Sequence, residues 1–320
     1  MNRETLRVGI AQLTPVWLDK AATLDLILAT MEKAAREGVE LLVFSEAFWP
    51  GYPFWLAYMD GAAWELPENK ALHAHYLRNA VVPGEGDLDP LVRLSEKLGL
   101  SVYLGMVERA KDRGGHSLYC SLAYLDSEEG VRSIHRKLQP TYDERLTWAP
   151  GDGNGLQVHP LKSFSVGGLN CWENWMPLVR ASLYAQGENV HVAVWPGSDY
   201  NTRDITRFVA RESRSYVISA SSLMRSDAIP ENTPYREQLL EKLPDTLANG
   251  GSCIAAPDGS WLLEPQLDGE GIFIEELSLD PIYQARQNFD PSGHYSRPDV
   301  TRLTLNRNRQ SVLEIEDPEI

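Results

Sequence analysis

Strand-length apolar runs alternate with amphipathic helical segments through the first two thirds of this 320-residue chain, an order that restricts it to a sheet-based α/β architecture. Arg7 to Leu13 reads as a strand. Ala22 to Gly38 then places Leu24, Ile27, Leu28, Met31 and Ala34 on one helical face, and Leu41 to Ser45 is the next strand. A helix from Leu88 to Leu98 precedes a strand over Ser101 to Val107. Leu118 to Leu125 and Val131 to Arg136 follow with only turns between them, which implies antiparallel pairing and a mixed sheet. Further along, a helix over Pro177 to Gln186 opens on a first-turn proline, and a strand covers Val190 to Gly197. A helix over Thr202 to Ser215, a strand over Tyr216 to Leu223 and a hairpin over Gly251 to Leu262, turning at Pro257-Asp258-Gly259, complete the series. Aromatic-rich Phe48 to Tyr76 and proline-punctuated Ser226 to Ala248 show no period and read as long loops, a pocket wall and a subunit contact.

Composition narrows the partners. With 30 basic against 45 acidic residues the formal charge is −15, which argues against nucleic acid or an anionic membrane and for a small molecule. Met1 to Arg7 lacks the apolar stretch of a signal peptide and no run has the length of a membrane span, so the chain reads as cytoplasmic. Cys120, Cys171 and Cys253 are odd in number and far apart, suggesting neither a disulfide framework nor a zinc motif. Cys120 and Cys253 lie in apolar strand patterns and read as core. The histidines lack metal-ligand spacing; His135 and His191 fall within strands, and neither metal nor cofactor is expected.

Three strand ends carry reactive groups. Leu41 to Pro53 is an apolar strand that ends in Glu46 and dissolves into turn residues. A carboxylate there is costly to desolvate unless it is paired or working. Val131 to Arg145 is a strand that again delivers charged groups at its end. Ser165 to Leu178 breaks from strand to helix at Cys171, where unpaired backbone N–H groups can lower a thiol pKa and receive an oxyanion. A lone cysteine is otherwise a small buried hydrophobe.

With Ser45-Glu46-Ala47-Phe48, His135-Arg136-Lys137-Leu138 and Asn170-Cys171-Trp172-Glu173-Asn174 in place, the chain resembles the nitrilase superfamily, and within it the nitrilase branch. The likeness continues through Gly250 to Gly259 and Gly293 to Asp299. It implies a four-layer αββα sandwich with mixed sheets, a single domain over residues 1–300 and a C-terminal tail over 301–320. It implies hydrolysis of an organic nitrile to the acid and ammonia. Cys171 is then the nucleophile, through a thioimidate and a thioester, and Glu46 the general base. Lys137 and the Trp172 backbone N–H stabilise the developing negative charge, and Glu144 positions substrate or shares the base role. Glu173 is expected to cap the helix start. Tyr52, Phe54, Trp55, Tyr142, Trp172 and Trp195 lie close to these strand ends, so the substrate is expected to be an aryl or arylalkyl nitrile.

The same triad serves amidases of the superfamily, although Cys171-Trp172-Glu173 resembles the nitrilase branch. Cyanide dihydratases share that motif but need a smaller cavity, and a catalytically silent assembly protein would lose a triad member. Assembly is expected to be at least a homodimer, through the helix Pro177 to Gln186 with Leu178, Leu183 and Tyr184 apolar; His294 is a second interfacial candidate. Larger spirals in the family use an extended C-terminal tail. Here the chain closes in acidic Glu314-Ile315-Glu316-Asp317.

Overall fold

The computed structural model describes residues 4–313. Its strands are β1 (Thr5–Gln12), β2 (Leu41–Phe44), β3 (Ser101–Arg109), β4 (Leu118–Asp126), β5 (Gly130–Arg136), β6 (His159–Leu161), β7 (Phe164–Asn170), β8 (Val190–Trp195), β9 (Tyr216–Ser221), β10 (Leu223–Arg225), β11 (Thr246–Ala255), β12 (Trp261–Leu267) and β13 (Gly271–Ser278). Its helices are α1 (Lys20–Arg36), α2 (Trp55–Tyr58), α3 (Pro67–Asn79), α4 (Asp89–Leu98), α5 (Pro177–Tyr184), α6 (Asp199–Ser213), α7 (Arg236–Lys242) and α8 (Leu279–Arg286).

One sheet runs β13-β1-β2-β3-β4-β5 and the other β10-β11-β9-β8-β7-β6, with β12 paired to β11. Parallel pairs β1–β2–β3 and β7–β8–β9 form the centres, and antiparallel strands flank them. Side-chain alternation explains the layers. In β8, Val190, Val192 and Val194 point into the core between the sheets, where they meet Val8, Ile10 and Val43. Ala193 and Trp195 point the other way, onto Ile205 and Val209 of α6. Ile27 and Met31 of α1 and Leu91 of α4 cover the outer face of the first sheet. The four layers are helices, sheet, sheet, helices.

Two expectations are corrected. Phe48 to Tyr76 contains α2 and α3, and Ser226 to Ala248 contains α7 and the start of β11. Their apolar period is hidden because they bury so little: α3 only Leu72 and Tyr76, α7 only Leu239. Leu183 does not face outward; it packs under its own domain with Leu156, Leu169 and Val179, leaving Leu178 as the exposed apolar residue of α5. Residues beyond 300 also touch the body. Leu305 packs against that same cluster, and Arg309 donates to Asp152, to Asn154 and to the Ile134 carbonyl. Glu314 to Asp317 lie outside the described residues.

The ends of β2, β5 and β7 converge, the first two from one sheet and the third from the other. Gly105 in β3 makes the first of these ends possible. A methyl there would collide with the Ser45 carbonyl oxygen and lie 2.8 Å from the Glu46 Cα. Gly105→Ala is therefore expected to cost on the order of 3 kcal/mol as overpacking, read as a lower urea midpoint, and to displace Glu46. An unchanged midpoint would show that the turn after β2 has slack.

Candidate active site

One dry cluster gathers Glu46, Lys137, Glu144 and Cys171, each at most 3% exposed. Lys137 Nζ donates to Glu46 Oε1 at 2.8 Å and to Glu144 Oε2 at 2.7 Å. Glu144 also accepts the Tyr52 hydroxyl at 2.8 Å and the Thr141 N–H at 2.6 Å, the second as part of a capping box that closes its own turn. Glu46 Oε1 accepts from Cys120 Sγ at 3.5 Å, whereas Glu46 Oε2 has no partner among the described residues. Lys137 also lies 5.7 Å from the centre of the Trp148 ring.

Burial and charge set the protonation states. Burial pushes the Glu46 carboxyl up to about 7, against the pull of Lys137. Burial alone would push Lys137 down, but Glu46, Cys171 and Glu144 outweigh it and hold the ammonium well above the ordinary lysine range. Burial and the Glu46 charge push the Cys171 thiol well above its ordinary value, although Lys137 and the Trp172 N–H act against them. The expected thiol activation by the helix start is thus outweighed by desolvation. The cluster thus sets a neutral thiol close to a carboxyl that burial has raised toward neutrality.

Cys171 sits at φ +47°, in the left-handed region, opening a short 3-10 turn over Cys171–Trp175. Glu173 is the expected cap of that turn. It accepts the Asn170 N–H at 2.9 Å, and it also accepts the Leu138 N–H at 2.6 Å and bonds His135 Nε2 at 3.0 Å. Asn174 Nδ2 donates to the Cys171 carbonyl at 2.8 Å, and its Oδ1 meets His191 Nε2 at 2.7 Å.

The aromatic residues chosen from sequence separate. Tyr52 joins the cluster through Glu144. Trp55 is buried between Trp17 and Tyr76 and borders the cavity beside His73. Tyr142 is exposed, on the outer side of the Glu144 turn, where Leu56, Ala57, Ala63, Leu66 and Leu146 share a cavity of about 750 Å³ with it. Trp172 is half exposed against Trp175. Trp195 is buried, donating to Ser219, and its carbonyl accepts the Glu46 N–H at 3.3 Å. Cys120, read as core, touches Glu46; its carbonyl pairs with the Lys137 N–H, so the hairpin register of β4 and β5 carried that signal. Trp148 was passed over, although it follows Glu144 by four residues. Oxygens of Glu46 and Glu144 and Cys171 Sγ lie within 4.8 Å of one another, a spacing that could hold a metal ion, but the Lys137 ammonium already bonds both carboxylates.

Residues 7–287 match the family model described as carbon-nitrogen hydrolase. A nitrilase, "Nitrilase 2" of an unknown prokaryotic organism, is 32% identical over 98% of this chain and 96% of its own length. The aliphatic nitrilase of Rhodococcus rhodochrous is 32% identical over 96% of this chain and 81% of its own length. Among solved structures, a carbon-nitrogen hydrolase from Helicobacter pylori G27 superposes with a TM-score of 0.69 at 17% identity, covering 92% of this chain and 97% of that one.

Lys137→Ala would leave Glu46 and Glu144 facing each other without a cation, and breaking such a buried pair costs about 3–5 kcal/mol. Urea denaturation is expected to show that loss, with Lys137→Ala/Glu144→Gln recovering part of it. Full stability in the single variant would mean that water enters the cluster.

Proposed function

The chain belongs to the carbon-nitrogen hydrolase family, and from that premise we propose that it is a nitrilase converting R–C≡N and two waters to R–COOH and ammonia. The observation that carries this reading is the unpartnered Glu46 Oε2 in the same cluster as a neutral Cys171 thiol and a fixed ammonium. Glu46 takes the thiol proton as sulfur attacks the nitrile carbon, and returns it to nitrogen to give the thioimidate. Water, deprotonated by Glu46, adds to that carbon. Ammonia leaves, a thioester forms, and a second water releases the acid. Lys137 and the Trp172 N–H oppose the negative charge of each tetrahedral stage. Glu144 holds Lys137 and Tyr52 in place.

For the substrate we propose an aryl or arylalkyl nitrile. The aromatic pair Tyr52 and Trp148, which meet edge to face next to Glu144 and Lys137, supports an apolar R group. Ammonia release from matched aryl, arylalkyl and aliphatic nitriles, their amides and cyanide separates the choices. Nitriles are expected to exceed amides, with acid as the main product; preference for amides would make the protein an amidase, and preference for cyanide a cyanide dihydratase. Cys171→Ala is expected to abolish turnover with the fold retained. Because the base must be deprotonated, kcat/KM is expected to fall as the pH drops through about 7. A rate flat across that range would remove Glu46 from the role.

A homodimer remains our proposal for the assembly, now through Leu178 with Trp172, Trp175 and Met176, which form an exposed apolar stretch next to the nucleophile turn. Leu178→Asp is expected to shift light scattering toward the monomer. A variant whose mass matched the wild-type oligomer would move the interface elsewhere.

A further inference from the structure

Glu173 is bonded to both halves of the site at once. Its Oε1 accepts the N–H of Leu138, the residue after Lys137, at 2.6 Å. Its Oε2 accepts the N–H of Asn170, the residue before Cys171, at 2.9 Å. Those two backbones end strands of different sheets, β5 and β7. His135 Nε2, at 3.1 Å and 3.0 Å from the two oxygens, fixes the plane of the carboxylate from a third side. The group is buried, and every contact it makes is to structure that carries a reactive residue.

We propose that Glu173 is a positioning residue that sets the reach from the Lys137 ammonium to the Cys171 sulfur, and through it the division of the reaction between acid and amide. The inference rests on the nitrilase reading. After the first water adds, one carbon carries sulfur, oxygen and nitrogen. If nitrogen leaves, it departs as ammonia with a proton delivered by Glu46, the C–N pair goes with it, and the thioester remains. If sulfur leaves, the C–S pair returns to Cys171 and R–CONH₂ is released. The first route needs Glu46, which is held by Lys137, to stand over nitrogen; the second puts no proton on nitrogen and returns the pair to a sulfur whose developing charge the Lys137 ammonium opposes. A carboxylate with two acceptor oxygens keeps both strand ends at one separation. An amide in its place turns one acceptor into a donor facing an N–H, so one end is released.

Glu173→Gln is expected to lower turnover on the order of 100-fold, as a displacement near 1 Å does, and to raise the amide-to-acid ratio several-fold. Glu173→Asp, one methylene short but still charged, is expected to move the ratio the same way and serves where the glutamine variant does not fold. Ile282→Ala, a core truncation in α8, is expected to lower the urea midpoint without moving the ratio. A wild-type product ratio in folded Glu173→Gln or Glu173→Asp overturns the proposal, and so does a ratio that moves equally in Ile282→Ala. Alkylation of Cys171 by iodoacetamide reads the same tether without any nitrile. Should the wild type turn over no nitrile, the nitrilase reading fails, and a slower alkylation in Glu173→Gln still supports the tether while an unchanged rate overturns it.

Discussion

The Lys137 ammonium, fully desolvated, lies between two carboxylates that are themselves sealed from water. Neither Glu46 nor Glu144 could remain there as an anion alone, since removing a charge from water costs several kcal/mol that only an opposite charge and hydrogen bonds offset. The strand that delivers Lys137 is correspondingly well held. Its N–H donates to the Cys120 carbonyl and its own carbonyl accepts from Gly151, each at 2.8 Å. Strand alternation then sends its neighbour Arg136 the opposite way, into a separate ion network with Glu108 and Asp112. One β5 terminus thus serves two charge clusters without mixing them.

Support for Cys171 comes from a second buried chain. Glu188 meets His191 Nδ1 at 2.9 Å, His191 meets Asn174, and Asn174 holds the carbonyl of Cys171. Arg180 adds a bond to the Asn174 carbonyl, tying the first helical turn of α5 to the same loop. A residue at φ +47° is strained by about 1–3 kcal/mol and persists only where its surroundings over-determine it. These bonds do so.

The layers and the three strand ends were legible in the sequence because they depend on local signals: apolar alternation, helical period, and a charged or thiol residue where an apolar run stops. Glu46, Lys137 and Cys171 sit at such ends; Glu144, in a polar turn seven residues past Lys137, was marked only by the family resemblance. The placing of the aromatic residues was not legible. Trp55 and Tyr142 both lie near a reactive strand end in sequence, yet one opens α2 and is buried against Trp17, while the other opens the Glu144 turn at φ +48° and stands in solvent. His135 and His191 fall within strands and are buried, but the Glu173 that His135 meets is 38 residues away and the Asn174 that His191 meets is 17 away, on elements that only the fold brings alongside. Cys120 escaped for the same reason: its neighbour is 74 residues distant.

The protonated resting state of Cys171 bears on durability. Thiols oxidise in proportion to their thiolate character and their access to solvent, so the low-pKa, exposed cysteines that make fast nucleophiles are also the first to become sulfenic acids. Here Cys171 is 3% exposed, and its sulfur is held as a thiol by burial and the nearby Glu46 charge. In the mechanism we propose, reactivity is released only when a proton moves to the neighbouring carboxylate, and that is a step peroxide in bulk water has little means to trigger. In that mechanism the dryness that calls for a general base also shelters the thiol between turnovers.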